Sequence, residues 1–182
     1  MNHTQYSLTK SGMSIFYGDF DTLNQEVMDW ISRKVRDFDL QHLSVLEVGS
    51  RDINGTARRA FKGPYVGIDI IAGPDVDMVM DSHYLAFLDS SFDVVVCTEM
   101  IEHDSAFWIT LAEIGRVLKS NGHLLLTTRG NGFGEHDYPS DYWRFMPSSG
   151  GLIANLASCR LDSYEEDPNN PGIFIHAIRN DR

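Results

Sequence analysis

Four short apolar runs rich in β-branched or leucine residues recur along the chain: Ser44 to Val48 (SVLEV), Tyr65 to Ile70 (YVGIDI), Phe92 to Cys97 (FDVVVC) and His123 to Thr128 (HLLLTT). Runs of this length, bounded by glycine, proline or polar turns, read as buried strands. Val76 to Met80 is a weaker candidate of the same kind. Between and before them lie helical stripes. Leu23, Val27, Trp30, Ile31, Val35 and Phe38 recur at spacings of three and four, and Asp21 or Thr22 would cap that helix. Gly55 to Lys62 has room for a short helix stopped by Gly63 and Pro64. Phe107, Leu111, Ile114 and Leu118 form another inward stripe, capped by Ser105 and ended by Asn121 and Gly122.

Strands that alternate with helices require right-handed crossovers, so the expected fold is a doubly wound α/β structure whose mostly parallel sheet is covered on both faces. The tail departs from that rhythm. Leu152 to Ala157 could be helical, but Leu161 to Tyr164 and Gly172 to Ile178 are joined by EEDPNNPG, too short for a crossover helix. An antiparallel final pair is expected there.

At 182 residues and 42% apolar content the chain reads as one folded domain. Its parts are an N-terminal segment and helix (1–43), a core (44–128), a loop (129–151) and a C-terminal helix with antiparallel strands (152–182). The formal net charge of -11 repels phosphate backbones and argues against a nucleic-acid partner. Arg51, Arg58, Arg59 and Lys62 are the one basic group, and a solvated helix surface accounts for them. Cys97 and Cys159 lie apart in apolar segments and read as buried thiols. The opening MNHTQYSLTK has no signal-peptide core, and no run approaches the ~18 apolar residues of a membrane span. The expectation is a reducing, cytoplasmic setting without a membrane partner.

In a doubly wound sheet, ligands bind beyond the carboxyl ends of the strands, and the turn after the first strand meets them first. VLEVGSRDING, residues 45 to 55, sits there. Gly49 permits a sharp turn and close approach, while Asn54 and Gly55 tolerate positive φ. Arg51 stands where the second glycine of GxGxxG would be, and Glu47 would repel phosphates, so a pyrophosphate ligand is disfavoured. Asp69, at the end of the second strand, is placed to accept hydrogen bonds from ribose hydroxyls. A ribose combined with a positive charge describes S-adenosylmethionine.

The series LEVGSRDING, YVGIDI, DMVMDS, FDVVVCTEMIEH and RVLKSNGHLLLTT resembles, in order, the class I S-adenosylmethionine-dependent methyltransferases over about residues 44 to 128. It is most similar to the small single-domain, methyltransferase-11-like branch in which the fourth strand runs into E-x-x-E-H, here Glu99 to His103. The resemblance implies a Rossmann-like seven-stranded sheet with an antiparallel C-terminal strand. It also implies that Gly49, Ser50, Asn54 and Gly55 hold the methionine part of the cofactor and that Glu47 lies near its amino group. Asp69 would take the ribose, Ile70 would pack on adenine, Asp81 and Ser82 would meet the adenine amino edge, and Thr98 and Glu99 would line the pocket floor. The family loop usually reads acid-x-G-x-G-x-G. Here Arg51 and Ile53 replace the later two glycines.

Residues 129–151 (RGNGFGEHDYPSDYWRFMPSSGG) lack strand or helix periodicity and concentrate aromatic and charged groups. Long loops of this composition in compact domains are usually functional. Asp137, Tyr138, Asp141, Tyr142, Trp143 and Arg144 are the candidate acceptor-binding residues. Carboxylates with amphipathic aromatics suit a sugar-like or phenolic metabolite. Methylating a hydroxyl requires its proton to leave, and His136, then His103, are the candidate bases. No pair of histidines or acids shows helical ligand spacing, so no metal is expected. The sequence supports transfer of a methyl group from S-adenosylmethionine, yielding S-adenosylhomocysteine, to a small molecule, and it is compatible with a homodimer. Two rivals remain: a non-catalytic methyltransferase-like cofactor-binding or interaction module, and a nicotinamide-dependent oxidoreductase, which would share the architecture but normally carries the missing glycine fingerprint.

Overall fold

The computed structural model describes residues 6–9, 12–15, 20–53, 55–136 and 140–181, with side chains from Gln25 onward. Its sheet has seven strands in the order β5-β4-β3-β6-β7-β9-β8. The parallel strands are β3 (Val45–Val48), β4 (Tyr65–Asp69), β5 (Met78–Val79), β6 (Phe92–Thr98) and β7 (Leu118–Arg129). β9 (Gly172–Arg179) runs antiparallel to both β7 and β8 (Cys159–Glu166), as the short EEDPNNPG link requires. A separate antiparallel hairpin pairs β1 (Tyr6–Thr9) with β2 (Gly12–Ile15), in a stretch whose sequence shows only polarity.

Strand alternation divides the core between two faces. Val45, Val94, Val96, Leu125 and Phe174 point to the side covered by α1 (Phe20–Asp37), which buries Val27, Trp30, Ile31 and Val35 there. Leu46, Val48, Val95, Cys97, Leu124, Leu126 and Ile175 face the other side, under α2 (Phe107–Val117) and α3 (Gly150–Leu156). Each fully buried large aliphatic side chain contributes about 1.5–3 kcal/mol. The two cysteines are free and buried, as their apolar settings imply.

Several boundaries differ from the sequence expectation. α1 starts at Phe20, so Asp21 and Thr22 lie within the helix, and Phe38 falls just after its end. There its ring packs edge-on against His176, with centroids 4.4 Å apart, and remains partly exposed. The segment after the first turn makes only a 3₁₀ turn at Ala57–Ala60. Arg58 and Lys62 therefore share no helical face, and Arg58 is no solvated cation: it pairs with Asp77 and lies 4.7 Å over the Tyr65 ring. Ser105 does not cap α2: its N-cap position is Ala106, without a side-chain cap, and Asp104 Oδ1 accepts from Ala106 N at 2.8 Å just before the helix. That helix ends at Val117, and Asn121 adopts φ 60° within β7.

A histidine pair lies between β7 and β9. His123 Nδ1 is 2.9 Å from His176 Nε2, and His176 Nδ1 is 3.0 Å from Asp162 Oδ2. Burial, reinforced by His123, pushes His176 down from 6.5 to about 4, against the opposing pull of Asp162. The folded state therefore resists protonation. The unfolded chain binds the proton first, so this stability is complete above pH 6.5 and is lost as pH falls toward 4. The melting temperature is expected to drop between about pH 7 and 5, and His176→Gln should flatten that drop. An unchanged pH slope in the variant would exclude His176 as its source.

Candidate functional site

All five parallel strands present their carboxyl ends to one cavity of about 400 Å³. It sits where the connections reverse direction, since β4 and β5 extend from one side of β3 and β6 from the other. Its lining includes Glu47, Gly49, Ser50 and Gly55 at and after the end of β3, Asp69 and Ile70 at the end of β4, Asp81 and Ser82 after β5, and Thr98 and Glu99 at the end of β6. Sequence reasoning named every one of these. Asn54, Asp137 and Tyr138 lie outside the described residues.

The turn after β3 is built for close approach. Gly49 has φ 80°, and a Cβ there would stand 2.7 Å from Met100 Cγ. Its N–H and that of Ser50 both donate to Ile68 O at 2.9 Å, which pins the turn to β4. Asp52 Oδ1 then accepts from Gly55 N at 2.7 Å, closing a loop without the family's later glycines. Arg51, in the place of one of those glycines, lines the cavity, the stem of its side chain lying against Gly73.

Three carboxylates set the electrostatics. Glu47 is buried on the α1 face, where Tyr65 Oη donates to its Oε2 at 2.9 Å. Burial pushes its carboxyl up to about 7, with the tyrosine bond opposing. Asp69 is oriented by backbone: Ile71 N donates to Oδ1 at 2.9 Å and Arg51 N approaches Oδ2 at 3.4 Å. Asp81 likewise takes His83 N at 2.9 Å. These amide contacts are ordinary turn chemistry, and they also hold both carboxylates at the rim. Ile53, Ile70 and Ile71 stand exposed beside Asp69 as an apolar shelf.

At the end of β6 the chain turns through Glu99 at φ 51°, an uncommon conformation outside glycine that concentrates at functional sites. Glu99 is ion-paired with Arg129, which also holds Asp167 Oδ2 at 3.1 Å and stacks 4.6 Å from the centre of the Phe133 ring. Burial raises the Glu99 carboxyl, and Arg129 pulls it back. Glu102, fully buried, has its carboxyl raised by burial and by the charge of Glu99. Sequence reasoning passed over Glu102 and Arg129. The E-x-x-E-H spacing marked Glu102, whereas Arg129 resembles any strand-end cation until the fold surrounds it with acids.

His103, His136, Phe133 and Tyr142 line the same cavity. Asp141, Trp143 and Arg144, expected on the acceptor wall, brace it from behind. Arg144 is held by Asp141 and donates to the Phe133 and Gly134 carbonyls, so its charge is consumed within the loop. Asp141 Oδ2 accepts from His136 N at 2.9 Å. Trp143 Nε1 donates to Asp104 O at 2.9 Å, with its ring 5.6 Å from that of Phe107. His103 and His136 meet edge-to-face at 4.7 Å between ring centres. Burial lowers the pKa of His136. Glu102, His103 and His136 place one ligand-capable atom each within 4.8 Å of one another, an arrangement that sequence spacing could not reveal.

A seven-stranded, mostly parallel sheet closed by an antiparallel pair, with one cavity at the carboxyl ends of its parallel strands, is the Rossmann-like fold of S-adenosylmethionine-dependent methyltransferases. Residues 46–126 match the family model described as a methyltransferase domain. Among solved structures, the 1,6-didemethyltoxoflavin-N1-methyltransferase of Burkholderia thailandensis, with bound 1,6-didemethyltoxoflavin and S-adenosylhomocysteine, superposes with a TM-score of 0.71 at 15% identity, covering 88% of this chain and 82% of that one. A methyltransferase from Methanosarcina mazei gives 0.64 at 14% identity over 82% and 98%. The [4+2]-cyclase SpnF gives 0.63 at 15% identity over 88% and 80%. No curated protein matches the chain in sequence. No helix among the described residues is long and apolar enough to cross a membrane.

Arg129 is the brace of this site. Replacing it with leucine would leave Glu99 and Asp167 buried without their cation, and loss of one partner from such a group costs about 3–5 kcal/mol. Urea denaturation of Arg129→Leu should show a loss of that size. A loss below about 1 kcal/mol would remove Arg129 from this role.

Proposed function

We propose that this chain is an S-adenosylmethionine-dependent methyltransferase acting on a hydroxyl of a small polar acceptor, sugar-like or phenolic. The observation that carries the reading is a single cavity joining the Gly49 turn and Asp69 at one end to His103, His136 and Tyr142 at the other. In this reading the ribose hydroxyls donate to Asp69, adenine lies on the shelf of Ile53, Ile70 and Ile71, and its amino edge meets Asp81 and Ser82. The methionine part follows the Gly49–Gly55 loop toward Glu47 and Thr98. An acid-lined floor suits a ligand whose ammonium and sulfonium are both cationic.

The sulfonium supplies an already activated methyl group, so the protein's task is to align the nucleophile and exclude water. The acceptor oxygen attacks the methyl carbon, the carbon–sulfur bond breaks, and S-adenosylhomocysteine leaves. The hydroxyl proton departs at the histidine end of the cavity. SpnF, a cyclase by name, has the same architecture, so the fold alone does not carry the methyl-transfer reading. The ionisable cluster at the acceptor end favours it over a cofactor-binding module that catalyses nothing. Asp69→Ala should weaken S-adenosylhomocysteine binding at least tenfold by calorimetry with an unchanged melting temperature. Wild-type affinity in that variant would remove the ribose assignment.

A further inference from the structure

Glu102 is a fully buried acid with one satisfied and one unsatisfied oxygen. Its Oε2 accepts from Thr128 Oγ1 at 2.8 Å, whereas Oε1 is buried without a hydrogen-bond partner. An unpaired buried oxygen costs about 1–3 kcal/mol, more when charged, so folded proteins seldom leave one without a purpose. Nearby, Asp104 is committed to Thr110, Ala106 and His83, and Glu99, whose oxygens also lack a hydrogen bond, is ion-paired with Arg129. One ligand-capable atom of Glu102 lies within 4.8 Å of one on each of the imidazoles of His103 and His136.

Both imidazoles are oriented from behind through the same atom. His103 Nδ1 lies 2.6 Å from Ser140 O, a carbonyl that can only accept, so Nδ1 carries the proton. His136 Nδ1 lies 3.2 Å from Asp141 Oδ2 and 3.4 Å from Arg144 Nη2, a group that only donates, so these contacts hold the ring in place without fixing which nitrogen carries its proton. A histidine held by a carbonyl or carboxylate at one nitrogen offers the other as a metal ligand, and such outer contacts set its tautomer and basicity. A general base would employ one of these rings and leave Glu102 Oε1 unexplained. A cation would engage all three groups.

We propose that Glu102, His103 and His136 form a binding site for a divalent transition-metal ion, held by Glu102 Oε1 and Nε2 of each histidine. Two imidazoles and a carboxylate favour manganese, iron, cobalt or zinc over magnesium or calcium. Three protein ligands leave positions open to water and to an acceptor oxygen. The catalytic role rests on the methyl-transfer reading above, but the binding of the ion does not. In that role the ion binds the acceptor hydroxyl and lowers its pKa, the proton passes to solvent water, and the oxygen then forms its bond to the methyl carbon as the carbon–sulfur bond breaks. The histidines act as ligands and neither serves as the base.

The test is calorimetric titration of Mn²⁺ into chelator-treated protein without cofactor, with electron paramagnetic resonance of the bound ion as a second readout. One ion per chain is expected, with at least tenfold weaker binding in Glu102→Gln and in His136→Ala. S-adenosylhomocysteine affinity should be unchanged in His136→Ala, a substitution at the partly exposed loop that also guards against misfolding of the core variant. Absence of Mn²⁺ binding to the wild-type protein, or wild-type Mn²⁺ affinity in both variants, would overturn the site. Mn²⁺ binding by a protein that does not bind S-adenosylhomocysteine would sustain the site and reject the methyltransferase reading alone.

Discussion

The Arg129 guanidinium joins parts of the chain that are distant in sequence and would otherwise be free of one another. It is almost fully buried, pairs with Glu99 at the end of β6 and with Asp167 in the β8–β9 connection, and stacks on Phe133 in the acceptor loop. Its own carbonyl accepts from Phe145 N at 2.9 Å, so the same residue receives the loop as it returns. A cation in a low-dielectric position interacts strongly with both acids, and neither acid could remain buried and charged without it. The cavity floor, the acceptor loop and the antiparallel tail consequently share one electrostatic joint.

That joint explains why an acidic chain can gather further carboxylates around its cavity. Glu47 is eased by Tyr65, Asp69 and Asp81 by turn amides, and Glu99 by Arg129. Glu102 retains an oxygen without a hydrogen-bond partner among the described residues, and its carboxylate offers an atom within 4.8 Å of one on each of His103 and His136. The site thus grades from hydrogen-bonded or ion-paired acids near the first turn to the cluster of Glu102, His103 and His136. Cofactor recognition and acceptor chemistry would occupy those two ends.

The parallel core was legible because its strands are short apolar runs and its helices carry clear stripes. The cavity-lining residues at the strand ends were legible because their places follow from those ends: Glu47, Asp69 and Thr98 each lie at or just before one. Caps and lengths were less so. Ser105 does not cap α2, and the chain before that helix is held instead by the Asp104 carboxylate, which takes Ala106 N, Thr110 and His83, contacts made across the fold. Arg58 left its expected helix because Asp77 and the Tyr65 ring lie beside it only after β4 and β5 have formed. Asp141 and Arg144 read as ligand groups because a loop sequence does not disclose that two opposite charges will satisfy each other. The cluster of Glu102 with His103 and His136 was invisible for the complementary reason: it is assembled from the segments that follow two different strands, and no local spacing encodes it.

The central claim is that the cavity at the strand ends holds S-adenosylmethionine with its sulfur directed toward the histidine cluster. A crystal structure of the complex with S-adenosylhomocysteine tests it most directly. The expected complex has ribose hydroxyls within hydrogen-bond distance of Asp69, adenine against Ile70, and the sulfur on the side of the cavity lined by His103 and His136. A nucleoside bound elsewhere, or one reversed so that its sulfur points away from those histidines, would contradict it.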